Sequence, residues 1–209
     1  ALQPDLGSAL VLFGIWFGFL LVSGLPRNRV LAVAGILAVA GIVMWYSVLK
    51  DYQRERIVGV FYPEQNVLGI NYSVAQSKIA IGSAGFFGKG YGQGTQAQLK
   101  FLTEPATDFI FPAFIEEWGI LGGLLAVSAF LALIFRILKI GLVADRNFEK
   151  FICLGSATVF GWQFFLNTGS ASGILPVVGV TFPFLSYGGS SLLTSFLLLA
   201  IIHAIDLRS

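Results

Sequence analysis

The chain has 209 residues, of which 56% are hydrophobic and 11% charged, with a formal net charge of +2. So large a hydrophobic share cannot be hidden inside a globule of this length, which excludes a soluble domain and predicts an integral membrane protein. The single cysteine, Cys153, lies within an apolar run and excludes a disulfide inside the chain.

Five apolar segments of about twenty residues each are long enough to cross a bilayer. They comprise residues 6–24, 30–48, 109–135, 151–168 and 190–205. The predicted fold class is therefore an all-α, polytopic helical bundle that forms a single membrane domain over residues 1–209. The chain starts without a Met or a charged leader and has an odd number of spans, so we expect earlier helices to be missing.

Basic residues in the short loops predict the orientation, because Lys and Arg near span ends stay on the cytoplasmic side. Arg27 and Arg29 follow the first segment and four basic residues follow the third, whereas residues 169–186 carry no charge. This pattern predicts an external N-terminus, a cytoplasmic C-terminus and an external position for residues 50–108.

The external stretch begins with a charged segment, residues 51–56, that we expect to continue the second apolar helix into water. Residues 71–81 predict a short amphipathic helix at the membrane surface. Residues 82–95 are so rich in glycine that neither helix nor strand should persist. Their amides, with Lys89, are suited to cradle a lipid diphosphate, but spacing favours the alternative of a loop that only packs around aromatic side chains.

Asp108 ends the external stretch, directly before the third apolar segment. An ionisable group at a membrane boundary is costly unless water, a partner or a substrate compensates it. One interpretation is an N-cap or first-turn acid that interacts with the helix dipole. The other is a general base or metal ligand. The sequence pattern leaves both open.

Glu116 and Glu117 lie about two turns further along the same predicted helix. For these residues a structural role, such as pairing with Arg56, is favoured over catalysis. The lone His203 does not make a metal site. Small residues and prolines in 167–191 predict a broken, tightly packed connection beside a cavity.

Residue order across the chain resembles the SEDS family (shape, elongation, division and sporulation), which includes the RodA, FtsW and SpoVE branches. The resemblance lies in QPDLGS at 3–8, QSKIAIGS at 76–83, TDFIF at 107–111, EE at 116–117, SGILPVVG at 172–179 and SYGGS at 186–190. The second and fifth of these are closer to the RodA branch than to the FtsW branch.

The resemblance implies the C-terminal half of a ten-span glycosyltransferase of the bacterial plasma membrane, which polymerises lipid II into peptidoglycan glycan strands during cell elongation. It implies a catalytic loop over residues 50–108 with Asp108 as the essential acid and undecaprenyl diphosphate as the leaving group. The implied partners are a class B penicillin-binding transpeptidase, lipid II and membrane lipids, and we expect no nucleic acid.

Further site residues follow from the same resemblance. The candidate substrate contacts are Arg56, Arg54, Lys78, Lys89, Ser186 and Gly188. The candidate supporting residues are Glu116, Glu117 and Asn167. The charge that develops on the diphosphate suits Mg²⁺ or Mn²⁺, with Asp108 as a ligand, and no organic cofactor is expected.

Two rival functions stay open at this point. The first is a flippase that moves lipid II across the membrane, and the second is a non-catalytic scaffold of the cell-wall machinery. Neither needs an ionised acid beside a diphosphate site, whereas a polymerase does.

Overall fold

The computed structural model describes residues 6–47, 49–62, 69 and 71–208, and within these residues the chain forms helices and no strand. The helices are α1 Leu6–Val22, α2 Arg27–Ser47, α3 Asp51–Phe61, α4 Tyr72–Ser83, α5 Thr95–Gln98, α6 Ile110–Val143, α7 Asn147–Ala171 and α8 Gly189–Asp206. Residues 3–5 of the first motif lie outside the described residues.

The five predicted apolar segments coincide with α1, α2, α6, α7 and α8. Among the described helices, three are long and apolar enough to cross a bilayer by themselves: α2, α6 and α8. Helix α1 is a shorter apolar helix, and α7 carries Glu149 and Lys150 in its first turn. The predicted class, a polytopic helical membrane protein, is confirmed.

The main hydrophobic core lies between α6, α7 and α8. Phe130, Ile137, Cys153, Phe160 and Ile202 are each at most 6% exposed within it. The connection between α7 and α8 dips into this core through Phe182, whose ring lies 5.5 Å from Phe130 and 5.4 Å from Phe164 between centroids. The predicted tightly packed connection is therefore present, and it brings the chain back to the start of α6 and the end of α7.

Helix α1 approaches α7 closely because it presents glycines to it. A Cβ on Gly14 would stand 2.4 Å from the Trp162 ring, and one on Gly18 would stand 2.6 Å from the Thr158 methyl group. Small residues at such contacts allow helices to pack tightly inside a membrane, where no hydrophobic effect drives their association.

Helix α6 is broken at Gly119, which has φ +76° and ψ 177°. The loop between α4 and α5 closes the break by backbone hydrogen bonds. Lys89 N donates to Glu116 O (2.9 Å), Gly90 N donates to Glu117 O (3.0 Å), and Ile120 N donates to Gly85 O (3.0 Å). Groups freed by the break thus find partners, as helix interruptions in membranes require.

The structure bears on three expectations for residues 50–108. The prediction that 51–56 continues the second span is wrong, because α2 ends at Ser47 and α3 starts separately, with Lys50 N bonded to Gln53 Oε1 at 3.0 Å. The amphipathic helix predicted over 71–81 is present as α4. Of the glycine-rich stretch 82–95, residues 84–94 are free of helix and strand, whereas residues 82 and 83 end α4 and residue 95 begins α5. The position of α4 at the membrane surface stays a prediction.

Candidate functional site

A polar cavity of about 330 Å³ lies where α3, α4, the start of α6 and the α7–α8 connection meet. It is lined by Arg56, Gly69, Ser73, Thr103, Glu104, Asp108, Phe109 and Val177. Below it, Ala80, Leu102, Phe109, Ala113 and Ala171 form a small apolar cluster that holds these elements together. The cavity therefore has a packed floor and a polar wall.

Asp108 is half-buried in this wall. Burial raises the pKa of its carboxyl group above the ordinary value of 3.8, and the nearby charge of Glu104 raises this pKa further. A hydrogen bond from Thr107 and the charge of Arg56 act in the opposite direction. The N-cap residue of α6 is Phe109, without a side-chain cap, so the structure does not support the capping interpretation of Asp108.

Asn167 fixes the backbone of Asp108 from α7. Its side chain is 1% exposed, and its Nδ2 donates to Asp108 O at 2.9 Å and to Val180 O at 2.8 Å. One amide thereby joins the start of α6 to the α7–α8 connection. The structure gives Asn167 the supporting position expected from the sequence. On the same connection, Gly179 faces the carboxylate, since a Cβ there would stand 3.6 Å from Asp108 Oδ2.

Ser186 holds the residue before Asp108. Its hydroxyl donates to Thr107 O at 2.6 Å and accepts from Phe182 N at 2.7 Å. Because this side chain is 3% exposed and its hydroxyl is occupied by the backbone, the structure places Ser186 as a support of the Asp108 turn, not as the expected substrate contact. Tyr187 N adds a bond to Ala106 O at 2.8 Å.

Glu104 is a cavity residue that the sequence pattern did not single out. Its φ of +48° lies in the left-handed region, and its carbonyl accepts from Thr107 N and from Phe109 N, both at 3.3 Å. The strained residue thus anchors the amides on either side of Asp108, and strain of this kind is concentrated at functional sites. The available signal was an acidic residue four positions before Asp108 in the same turn.

Arg56 lines the Asp108 cavity, and its expected contact with substrate stays a prediction. Its Nη1 donates to Val177 O at 3.1 Å, and its guanidinium lies 5.9 Å from the ring centroid of Tyr52. Arg56 also lines a second cavity of about 90 Å³ that includes Lys78. A Cβ on Gly173 would stand 2.9 Å from Lys78 Nζ, so this glycine leaves room for the amine. Arg56 and Lys78 therefore share one cavity, and Arg56 also lines the cavity of Asp108.

Two other expected substrate contacts lie elsewhere. Arg54 donates through Nη2 to Tyr46 O at 3.3 Å and has Asp51 at 3.7 Å, so it joins α3 to the end of α2. Gly188 is the N-cap residue of α8. Neither residue lines the Asp108 cavity or the Lys78 cavity.

Lys89 and Glu116 form a buried ion pair away from the Asp108 cavity. Lys89 Nζ lies 2.6 Å from Glu116 Oε1, and the Glu116 side chain is 0% exposed. Thr95 Oγ1 donates to the same oxygen at 3.0 Å, and Gln96 N lies 3.1 Å from Oε2. The expected structural role of Glu116 is thus met by Lys89 and not by Arg56.

This pairing corrects the suggestion that the glycine-rich loop and Lys89 cradle a phosphate. The amides of Lys89 and Gly90 are already bonded to the carbonyls of Glu116 and Glu117, and the Lys89 amine faces a carboxylate. Glu117 stabilises the loop through its main-chain carbonyl, which accepts the hydrogen bond from Gly90 N. The loop is instead a structural closure of the broken helix.

The fold and the site together define a class: a multi-pass helical membrane protein in which a half-buried acid before a membrane helix shares a polar cavity with a guanidinium group. A family model described as that of a cell cycle protein, covering FtsW, RodA and SpoVE, matches residues 1–209. The chain therefore belongs to the FtsW/RodA/SpoVE family, which is the SEDS family that its motifs resemble.

Individual relatives agree with this assignment. The chain is 43% identical over 194 residues to the peptidoglycan glycosyltransferase MrdB of Escherichia coli K12, covering 92% of this chain and 52% of the relative. It is 38% identical to the probable peptidoglycan glycosyltransferase FtsW of Tolumonas auensis, covering 98% and 53%. The chain thus spans about half the length of these curated relatives.

A solved structure shares the fold. It is described as showing structural coordination of polymerization and crosslinking by a peptidoglycan synthase complex, and it is 29% identical with a TM-score of 0.76. The similarity covers 99% of this chain and 56% of that one.

Proposed function

We propose that this chain is the catalytic half of a bacterial plasma-membrane glycosyltransferase that polymerises lipid II into peptidoglycan glycan strands, with Asp108 as the general base. The observation that carries the proposal is a half-buried carboxylate with a raised pKa, which shares a 330 Å³ cavity with a guanidinium at the end of a membrane helix. The names of the relatives, peptidoglycan glycosyltransferases, support this reaction class.

The reaction has a simple balance. Asp108 accepts the proton of the acceptor sugar's 4-hydroxyl group as that oxygen attacks the anomeric carbon of the donor. A carbon–oxygen bond forms between the two sugars, and the bond from the anomeric carbon to the diphosphate breaks. Undecaprenyl diphosphate leaves with the bonding electron pair. A carboxylate whose pKa lies above its ordinary value is a stronger base for this step than a solvated one.

Arg56 and Lys78 are proposed to hold the diphosphate. The guanidinium of Arg56 lines both cavities, and its bond to Val177 O fixes it between them. Preorganised positive charge near the leaving oxygens stabilises the charge that develops in the transition state. Arg56 also favours the ionised form of Asp108, so one side chain would serve both substrates.

The cavity also suits a divalent cation. The described residues contain no cluster of three or more His, Cys, Asp or Glu side chains that could hold a metal. Mg²⁺, however, is commonly bound by one or two carboxylates together with substrate phosphates. Asp108 and Glu104 supply two carboxylates in the wall, beside the hydroxyls of Ser73 and Thr103. A bound Mg²⁺ or Mn²⁺ would neutralise diphosphate charge.

A class B penicillin-binding transpeptidase is the proposed partner, and cell elongation is the proposed role. The structural neighbour is described as a complex that coordinates polymerization with crosslinking. The elongation role is supported by the motifs QSKIAIGS at 76–83 and SGILPVVG at 172–179, which resemble the RodA branch.

The decisive experiment compares the full-length protein with its Asp108→Asn variant, each with the transpeptidase partner, purified lipid II and divalent cation. We expect loss of glycan polymer with lipid II binding retained. Asp145→Asn, an exposed change in the α6–α7 turn, is the matched control and should polymerise normally. Undiminished polymer from Asp108→Asn would refute the proposal and favour the flippase or scaffold function.

A further inference from the structure

The loop that closes the α6 break carries a patch of exposed aromatic side chains. Phe86, Phe87 and Tyr91 are 74%, 82% and 83% exposed, and Trp118 beside them is 51% exposed. We call these four residues the aromatic patch. Tyr91 lies 6.4 Å from Trp118 between ring centroids. Contiguous exposed apolar surface of this kind usually marks an interaction site.

The aromatic patch is held on a fixed backbone. Leu121 N donates to Phe86 O at 3.2 Å, and Ile120 N donates to Gly85 O at 3.0 Å. A Cβ on Gly88 would stand 2.2 Å from Glu117 O, so the loop and the broken helix approach each other as bare backbones. The patch is thus presented rigidly by α6 itself.

The position of the break along α6 places the patch at a membrane boundary. From Ile120 to Val143 the helix runs about 36 Å at 1.5 Å per residue, and the hydrocarbon core it has to cross is about 30 Å thick. The outward apolar face of α6 starts directly after the break, with Leu121, Leu124 and Leu125 at 47%, 60% and 64% exposed. The patch is continuous with this face.

The composition of the loop favours lipid over a charged protein as the binding partner of the aromatic patch. Lys89 is the only charged residue between Ala84 and Gly94, and its amine turns inward to Glu116. The outward surface of the loop between Ala84 and Gly94 therefore carries no other charged side chain, and the neighbouring charge at the patch is Glu117, which is partly exposed next to Trp118. Tyr and Trp rings, which are apolar with one polar group, are enriched at the membrane–water interface.

We propose that the aromatic patch inserts into the lipid leaflet on the Asp108 side of the membrane and anchors the loop there. A series of hydrogen bonds links the loop that carries the aromatic patch to the wall of the Asp108 cavity. Glu116 accepts from Gln96 N at 3.1 Å, Leu102 N donates to Gln96 O at 2.9 Å, and Thr103 and Glu104 then enter the cavity wall. The inserted loop fixes the height of this wall above the bilayer. The insertion itself does not depend on the proposed reaction.

The test is spin-label depth measurement on the full-length protein in phosphatidylethanolamine/phosphatidylglycerol nanodiscs. Labels on Phe87→Cys and Tyr91→Cys are compared with one on Gln98→Cys, an exposed site in α5, and with one on Leu124→Cys as the lipid reference. Accessibility to oxygen and to a nickel chelate gives the depth. We expect positions 87 and 91 to lie about 5–10 Å below the phosphate level, and position 98 to lie in water.

Two results would overturn the proposal. Labels at 87 and 91 as accessible to nickel as the label at 98 would place the patch in water. Labels protected from both reagents would show that protein, and not lipid, covers it. A second variant keeps the test sharp: Phe86→Ser with Phe87→Ser should make the label at 91 several times more accessible to nickel, and no change there would also count against insertion.

Discussion

The Lys89–Glu116 pair makes an asymmetric prediction about stability. Lys89→Met leaves the Glu116 carboxylate, 0% exposed, without a cation. Breaking a buried ion pair by removing one partner costs about 3–5 kcal/mol, because a buried charge is left uncompensated. Glu116→Gln instead leaves the ammonium group on a side chain that is 26% exposed and can turn to water. We expect that variant to lose a charge-assisted hydrogen bond, about 1.5–3 kcal/mol.

The double variant separates the two effects. The double variant Lys89→Met with Glu116→Gln buries no charge. We therefore expect its free energy of unfolding to be similar to that of Glu116→Gln alone and clearly higher than that of Lys89→Met. The measurement is equilibrium unfolding of the full-length protein in mixed micelles by sodium dodecyl sulfate titration, followed by circular dichroism. Glu117→Gln is the control, because Glu117 bonds to Gly90 through its main chain and the substitution leaves that bond intact. The free energy of unfolding of this variant should stay within about 0.5 kcal/mol of the wild-type value. Equal losses for the two single variants, or strictly additive losses in the double, would refute the reasoning.

Three further outcomes are expected. Because the folded-state pKa of Asp108 lies above 3.8, polymerisation should fall as the pH drops through that pKa, and Glu104→Gln should move this acid limb to lower pH. The same shift means that Asp108 favours folding at low pH and that this contribution is lost as pH rises through the folded pKa, so Asp108→Asn should not lower the unfolding temperature at neutral pH. Asn167→Ala removes the donor to two carbonyl groups and should lower the free energy of unfolding by about 1–3 kcal/mol for each carbonyl that stays buried. The same variant should polymerise more slowly while its binding of lipid II stays unchanged. Gly119→Ala would place a Cβ 2.2 Å from a backbone oxygen at φ +76° and should impair folding, visible by size-exclusion chromatography, whereas Gly35→Ala, with nothing within 4 Å, should not.

The membrane helices could be predicted from the sequence because composition and the length of an apolar run decide which segments can enter a bilayer. It reached Asp108 for a related reason, since a carboxylate at the start of an apolar helix is conspicuous. Arg56 and Lys78 followed from the family motifs, and the structure places Arg56 in the Asp108 cavity and Lys78 in a second cavity that Arg56 also lines. The prediction failed at 51–56, where polarity alone does not show whether a helix continues or a new one begins.

The contacts that hold Asp108 could not be read from local pattern. Asn167 is 59 positions away along the chain, and its bond to Asp108 O depends on how α7 packs against α6. The partner of Glu116 was predicted as Arg56 but is Lys89. The local pattern could not distinguish them, because several basic residues of the chain are candidates and the pairing depends on the tertiary fold. The available signal was Gly119, two residues after the carboxylates Glu116 and Glu117 in an apolar run, which favours a break and hence an inserted loop.

The arrangement explains why so polar a site is stable at the end of membrane helices. The Asp108 turn is bonded through Asn167 and Ser186 to the α7–α8 connection, and the loop before it is bonded through Glu116 to α6. The backbone of the site is therefore fixed by groups other than the acid, and the Asp108 carboxylate itself is favoured only by a hydrogen bond from Thr107 and by the nearby charge of Arg56. Burial and Glu104 outweigh these two effects and raise its pKa, so the ionised carboxylate is less favourable in the folded chain than in the unfolded one. Asp108 thus contributes nothing to stability in its ionised form, whereas a raised pKa is the property that the proposed general base would need.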